Sequence, residues 1–387
     1  MKGTAAYPLQ IEQSSIRKIF ELQMKYKGII PFSIGEPDFD TPPNIVDACV
    51  KALREEKRTH YAPNMGIMEL RTAYAEKLKR SHGVEYNPGT EIMVTGSGMD
   101  SLRIAVQAIM NPGDEMLMAA PYWSNHLNHP LLVGAKPVVI PVKEKNGFMY
   151  DVAELEKYVT PKTKAVLLNS PSNPTGGVIT KESMEALCDL CKKHDLYIYT
   201  DEVYQDIIYD GEKFLSPAML PDMKKRTIIC DSFSKTYAMT GWRLGMIAFP
   251  ADLLYPIARI NENSICCVNT FMQYAAVEAL NGTREYVAQM MKEYKARRDL
   301  VYEGINNIDK LSCIKPKGAF YAFVNIQKTG LSSEEFAIKL IEQQQVALIP
   351  GSGFGEAGEG FVRISYATSQ DNIKEGIRRM GEFVKAL

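Results

Sequence analysis

Three apolar runs in this 387-residue chain end in side chains suited to holding one aromatic anion. KAVLL runs into Asn169-Ser170-Pro171-Ser172-Asn173-Pro174-Thr175-Gly176, DLYIYT into Asp201 and then Tyr204, and TIICD into Ser232-Phe233-Ser234-Lys235, with Arg243 further on. A fourth turn, Gly96-Ser97-Gly98, leads into a helix and so offers free backbone N–H groups at the positive end of a helix dipole. The amine of Lys235 can form a Schiff base if its pKa is lowered. Asp201 can keep a ring nitrogen protonated, and Asn173 and Tyr204 can donate to a phenolate oxygen. Ser97, Ser232, Ser234, Arg243 and the helix start can bind a phosphate dianion, and Trp123 can stack on a ring. Together these needs describe pyridoxal phosphate, the electron sink for amino-acid carbanions.

Such a set requires a scaffold that gathers strand ends. The runs IMVT, EMLMAAP, KPVVIPV, KAVLLNSP, DLYIYTDEVY, RTIICDSFSK and GMIAFP read as buried strands, most of them separated by polar helical or loop segments. Their alternation with helices predicts an α/β fold with a mostly parallel sheet covered on both faces, and ligands bind such sheets just past the carboxyl ends of the strands. The helix read over Met68–His82 stops at Gly83, and the one after TGSG carries Leu102, Val106 and Ile109 on one side. Residues 255 to 310 are strongly helical. FYAFVNI, VALIP, FVRISYA and a closing helix from Asp371 read as a smaller α+β unit, and the arm up to Pro43 as irregular with one short helix in SSIRKIFELQMK.

Composition narrows the partners. Lys plus Arg is 45 and Asp plus Glu is 46, a net charge of −1 that exerts no long-range pull on nucleic acid or an anionic membrane. Seven cysteines are few and odd in number, which argues against a disulfide framework. The start has no signal-like apolar core and no stretch is long and apolar enough to span a bilayer, so the expectation is a cytoplasmic globular protein.

The motifs, in order, resemble the class I/II aminotransferases of pyridoxal-phosphate fold type I, of the aspartate and aromatic aminotransferase kind. The similarity runs over nearly the whole chain: Ser15-Ile16-Arg17, Ile34-Gly35-Glu36-Pro37-Asp38, Tyr61-Ala62-Pro63, Asn173-Pro174-Thr175-Gly176, Ser232-Phe233-Ser234-Lys235, Gly241-Trp242-Arg243 and Phe361-Val362-Arg363-Ile364-Ser365. The resemblance implies a large domain with a mostly parallel seven-stranded sheet flanked by helices, over residues 46–284. It also implies a smaller α+β domain at 285–387, which residues 1–45 join as an N-terminal arm. It makes Lys235 the Schiff-base lysine, Asp201 the pyridinium partner, and Asn173 and Tyr204 the donors to the ring oxygen. Lys235, Asp201 and Tyr204 form the catalytic group. Ser97, Gly98, Met99, Ser232, Ser234 and Arg243 become the phosphate cup, and Trp123 the stacking ring beside the substrate. Arg363 grips the substrate carboxylate, helped by Asn173 and the backbone of Gly35. Tyr61 reaches the phosphate of a neighbouring subunit, which implies a homodimer with shared sites. Met99 departs from the pattern, because relatives often carry a polar residue there.

The expected reaction moves an amino group from an L-amino acid to a 2-oxo acid such as 2-oxoglutarate in a ping-pong sequence, with aspartate or aromatic donors favoured. A β-lyase cleaving a C–S bond would use the same cofactor residues. A non-enzymatic regulator carrying this type of domain would add an N-terminal DNA-binding unit, whereas here the family's arm starts within the first 20 residues. Other motifs have plainer readings. Gly96-Ser97-Gly98 is no dinucleotide fingerprint, because the third glycine would fall at Ser101. Cys188 and Cys191 share an apolar helix face with Met184 and Leu187, as core thiols do, and no second C-x-x-C completes a zinc site. His126 and His129 have no acidic neighbour in sequence and read as loop residues after Trp123, with no metal.

Overall fold

The structure, a computed structural model, describes residues 3–11 and 15–387. A short strand, β1 (Ile30–Pro31), lies in the arm. Seven strands then follow: β2 (Ile92–Thr95), β3 (Glu115–Ala120), β4 (Lys136–Pro141), β5 (Thr163–Asn169), β6 (Tyr197–Asp201), β7 (Thr227–Ser232) and β8 (Gly245–Ala248). They form one sheet in the order β2-β8-β7-β6-β5-β3-β4, in which β8 alone runs against the others. Every apolar run read as a strand takes its place in this sheet. The reversal of β8 is the one feature of the sheet that a four-residue run does not announce.

Side chains alternate across the sheet, as the period of two demands. Ile92, Val94, Ile229, Met246 and Ala248 pack with helices Met68–His82 and Thr270–Gly282. Met93, Ile228, Cys230 and Ile247 pack with helices Gly98–Ile109 and Leu254–Glu262, where Leu102, Val106 and Ile109 are buried as read. Each buried Ile, Val or Met side chain here contributes about 1.5–3 kcal/mol, and a one-residue slip would exchange the two sets, so the register is firmly specified. Helix Met68–His82 ends at Gly83, which takes φ +69° and donates its N–H to the Lys79 carbonyl.

The C-terminal part adds β9 (Ser312–Cys313), β10 (Tyr321–Asn325), β11 (Val346–Ala347), β12 (Ile349–Pro350) and β13 (Phe361–Ser365). An antiparallel sheet runs β12-β13-β10-β9, while β11 pairs in parallel with β1 and ties the arm to this region. VALIP is therefore divided between two sheets. The long helical stretch breaks into Leu254–Glu262, Thr270–Gly282 and Arg284–Asn306, and the closing helix spans Gln370–Lys385. The arm helix covers Ser15–Gln23; Ser14, where the reading began, lies outside the described residues. A further helix, Pro43–Arg54, follows the arm. Among the described residues no helix is long and apolar enough to cross a membrane.

Candidate active site

A cavity of about 730 Å³ opens past the carboxyl ends of β2, β5, β6 and β7. Its lining includes every site residue expected from the sequence except Tyr61: Gly35, Ser97, Gly98, Met99, Trp123, Asn173, Asp201, Tyr204, Ser232, Ser234, Lys235, Arg243 and Arg363. Tyr61 stands apart, 89% exposed.

One end gathers groups that can bind an anion. Ser97 caps helix Gly98–Ile109, its Oγ accepting from the Asp100 N–H at 3.1 Å. Ser232 Oγ accepts from the Ser234 N–H at 3.1 Å and donates to Ser234 Oγ at 2.8 Å. Between the two turns lies Gly245, paired with Thr95 on one side and Ser232 on the other. A Cβ on Gly245 would fall 2.4 Å from the Ser97 carbonyl carbon, and one on Gly98 3.0 Å from Ser232 Cβ. The reversed strand β8 and two small residues thus draw the hydroxyls, a helix N-terminus and the exposed Arg243 around one hollow. Arg243 adopts φ +53° and donates to the Thr240 carbonyl at 2.9 Å. Met99, in the first turn, contributes no side-chain donor.

The other end holds the ionisable pair. Asp201, the last residue of β6 and 4% exposed, has Oδ2 2.8 Å from His126 Nε2, and its carbonyl accepts from Asn169 Nδ2 at 3.3 Å. This corrects the reading of His126: it sits on helix Ser124–Leu132, is buried, and does have an acidic partner. The partner is 75 residues away, and Pro130 inside the helix weakens its local signal. His129 is on the same helix with Nδ1 unpartnered, and burial pushes its pKa down to about 4. Trp123, at the N-cap, meets His126 edge-on with centroids 5.3 Å apart.

Lys235 donates to the Gly35 carbonyl at 2.7 Å. Burial pushes its amine down to about 8, although Glu36 pulls the other way. Arg363, in the middle of β13 and 4% exposed, donates from Nη1 to Asn173 Oδ1 at 3.0 Å and from Nη2 to the Ser33 carbonyl at 2.8 Å. Its plane lies over the rings of Tyr321 and Phe354, 4.6 and 5.1 Å away, and Nε has no partner. All of these partners are neutral. A buried guanidinium without a carboxylate is costly, so the site is electrostatically complete only with an anion beside it.

Sequence reasoning missed Tyr321, read only as part of the smaller α+β unit. Its hydroxyl lies 2.8 Å from that of Tyr204 and 3.4 Å from the Gly35 carbonyl, under the Arg363 guanidinium. It also missed Phe20, Gln23, Ser33, Ile34 and Glu36, through which the arm walls the cavity. Ile34 and Glu36 lie in the Ile34–Asp38 motif without having been assigned to the site, and no local signal marks Phe20, Gln23 or Ser33, whose place comes from where the arm lies.

An α/β sheet carrying an amine of lowered pKa, a carboxylate and an anion cradle at its strand ends is the arrangement of a pyridoxal-phosphate enzyme of fold type I. The family model for aminotransferases of class I and II matches residues 27–380, and the chain belongs to that family. It is 45% identical over 377 residues to the aromatic-amino-acid aminotransferase 2 of Thermococcus litoralis, covering 97% of this chain and 96% of that one. It is 44% identical over 377 residues to an aspartate aminotransferase of Pyrococcus abyssi, with the same coverage. The crystal structure of an aromatic aminotransferase from Pyrococcus horikoshii superposes with a TM-score of 0.91 at 43% identity, covering 95% of this chain and 99% of that one. The protein is a pyridoxal-phosphate-dependent aminotransferase, and none of these relatives supports the lyase reading.

Proposed function

We propose that this aminotransferase takes the amino group of an L-amino acid, aromatic in preference to aspartate, and passes it to a 2-oxo acid such as 2-oxoglutarate in two half-reactions at the cavity around Lys235. The observation that carries this reading is Arg363, a buried cation with only neutral partners facing the same cavity as an amine of pKa about 8.

Pyridoxal phosphate, when bound, supplies the electron sink that acidifies the substrate's α-proton. The donor set fits that group: the Ser97–Gly98 helix start, Ser232, Ser234, Arg243 and the backbone of Met99 would hold its phosphate. Trp123 would stack on its ring, and Asn173 and Tyr204 would donate to its ring oxygen. Asp201, braced by His126, holds a proton on the ring nitrogen, because a carboxylate beside that atom favours its charged form. Arg363 binds the substrate carboxylate through a fork of N–H groups. Lys235 Nζ takes the proton from the substrate Cα and returns it as general acid. An amine with a pKa near 8 can do both near neutral pH, where one at 10.5 would stay charged.

The side-chain preference follows from the walls. Phe20, Ile34, Met99 and Leu102 are apolar, and among the described lining residues the cations are Lys235, Arg243 and Arg363, each already assigned. An acidic side chain would need a further cation from the partner subunit, whereas an aromatic one needs none. Tyr61, exposed and outside its own chain's cavity, supports the homodimer in which it reaches the partner's phosphate site. The pairing of β1 with β11 supports grouping arm 1–45 with the small unit 285–387 and leaving 46–284 as the large one. Balanced charge and free cysteines support a cytoplasmic location. The test is a half-reaction screen with phenylalanine, tyrosine and aspartate, following the cofactor's absorbance, with 2-oxoglutarate and pyruvate compared as acceptors. Faster turnover of aspartate than of either aromatic donor would overturn the preference, and no absorbance change with any donor would overturn the site.

A further inference from the structure

The roles above leave several buried charged side chains unused, Lys77, Arg297 and Arg298 among them. Lys77, on helix Met68–His82, is 8% exposed, with Nζ 3.0 Å from Asp231 Oδ2 and 3.4 Å from Asp206 Oδ2. Asp231 is 3% exposed and fully engaged. Its Oδ2 also accepts from the Tyr74 hydroxyl at 3.1 Å and from Gln205 Nε2 at 2.7 Å, while Oδ1 accepts from the Ser232 N–H at 2.7 Å. Asp206 Oδ2 accepts from the Thr236 hydroxyl at 3.1 Å. One carboxylate therefore holds the start of the segment 231–236 and the other holds its end. Between these two anchors the segment presents Ser232, Ser234 and Lys235 to the cavity.

Lys77 is the cation that faces both carboxylates. Burial raises the Asp231 carboxyl, and the ammonium only opposes that rise. Burial also pulls Lys77 down, but Asp206 and Asp231 together outweigh that, so the amine stays protonated. A buried ionic cluster is a poor device for stability alone, since well-packed apolar side chains of similar volume often serve as well. What an apolar replacement cannot supply is two carboxylates fixed in position as acceptors.

We infer that Lys77 is a positioning residue: through Asp231 and Asp206 its ammonium clamps both ends of the turn that offers Ser232, Ser234 and Lys235 to pyridoxal phosphate. The clamp rests on the reading that this turn holds the cofactor. Without the ammonium, Asp206, whose side chain is 32% exposed, turns to water and releases Thr236.

The test titrates cofactor-free protein with pyridoxal phosphate and records its melting in parallel. Lys77→Met should raise the dissociation constant about tenfold or more, and Thr236→Val, which removes one anchor while keeping Lys77 paired, about threefold. Borohydride trapping should still label the peptide containing Lys235 in both variants. A folded Lys77→Met protein, or Thr236→Val itself, that binds the cofactor within about twofold of the parent would overturn the clamp, whatever happens to the melting temperature. Should Lys77→Met fail to fold, Thr236→Val decides. Trapping at another lysine in the parent protein would overturn the site reading and the clamp with it.

Discussion

Replacing Lys235 by Met should make the cofactor-free protein more stable at pH 7, although it destroys activity. In the folded chain the amine has a pKa of about 8, against an ordinary value of 10.5. At about 1.36 kcal/mol per pKa unit, keeping it charged in place costs about 3 kcal/mol. Methionine removes that cost and nearly preserves the shape. It also removes the 2.7 Å bond to the Gly35 carbonyl, worth about 1 kcal/mol, so the expected net gain is about 2 kcal/mol. The advantage fades as pH rises. The folded pKa is the lower one, so between pH 8 and 10.5 the unfolded chain binds more protons and the parent protein gains stability as pH rises. By pH 10 the remaining cost is under about 1 kcal/mol and the lost bond cancels it. Urea unfolding of both cofactor-free proteins at pH 7 and pH 10, at one protein concentration, measures this directly. A Lys235→Met protein no more stable than its parent at pH 7, or an advantage unchanged at pH 10, would refute the account of this amine.

Other substitutions separate the parts of the site. Arg363→Lys should raise KM for the amino acid about tenfold or more with cofactor affinity unchanged, because one ammonium cannot reproduce the fork; steady-state kinetics and a cofactor titration check both. His126→Leu leaves Asp201 without its partner and should lower kcat about tenfold or more while KM moves little, as read from initial rates. Gly245→Ala puts a methyl group 2.4 Å from the Ser97 carbonyl carbon, so the cradle must widen; about 1–3 kcal/mol of stability should be lost, together with cofactor affinity, in melting and titration. Tyr321→Phe keeps the ring under Arg363 and should leave KM within about threefold, whereas Tyr321→Leu should raise it about tenfold, as initial-rate measurements would show.

What the sequence shows and what it hides divide along one line. Asn169, Asp201 and Ser232 each terminate a buried run and are joined to it by covalent chain, so strand patterning alone brings them to one sheet edge. Gly83 ends its helix for a reason contained in its own backbone. By contrast, His126 meets Asp201, Tyr321 meets Gly35 and Lys77 meets Asp231 across 75, 286 and 154 residues. None of these partners leaves a mark near the other. The direction of β8 belongs with them, because it is fixed by what flanks the strand in the sheet. The helix around His126 was hidden for a local reason, the proline inside it.

The grip of Arg363 has a consequence for the newborn chain. Its hydrogen bonds reach Ser33 in the arm and Asn173 beyond β5, and Arg363 itself is carried by β13. A polypeptide emerging from the ribosome has every strand of the large sheet once Ala248 is out, yet it still lacks more than a hundred residues. Until those are made, the residues proposed to hold the phosphate are present and Arg363, proposed to hold the carboxylate, is not.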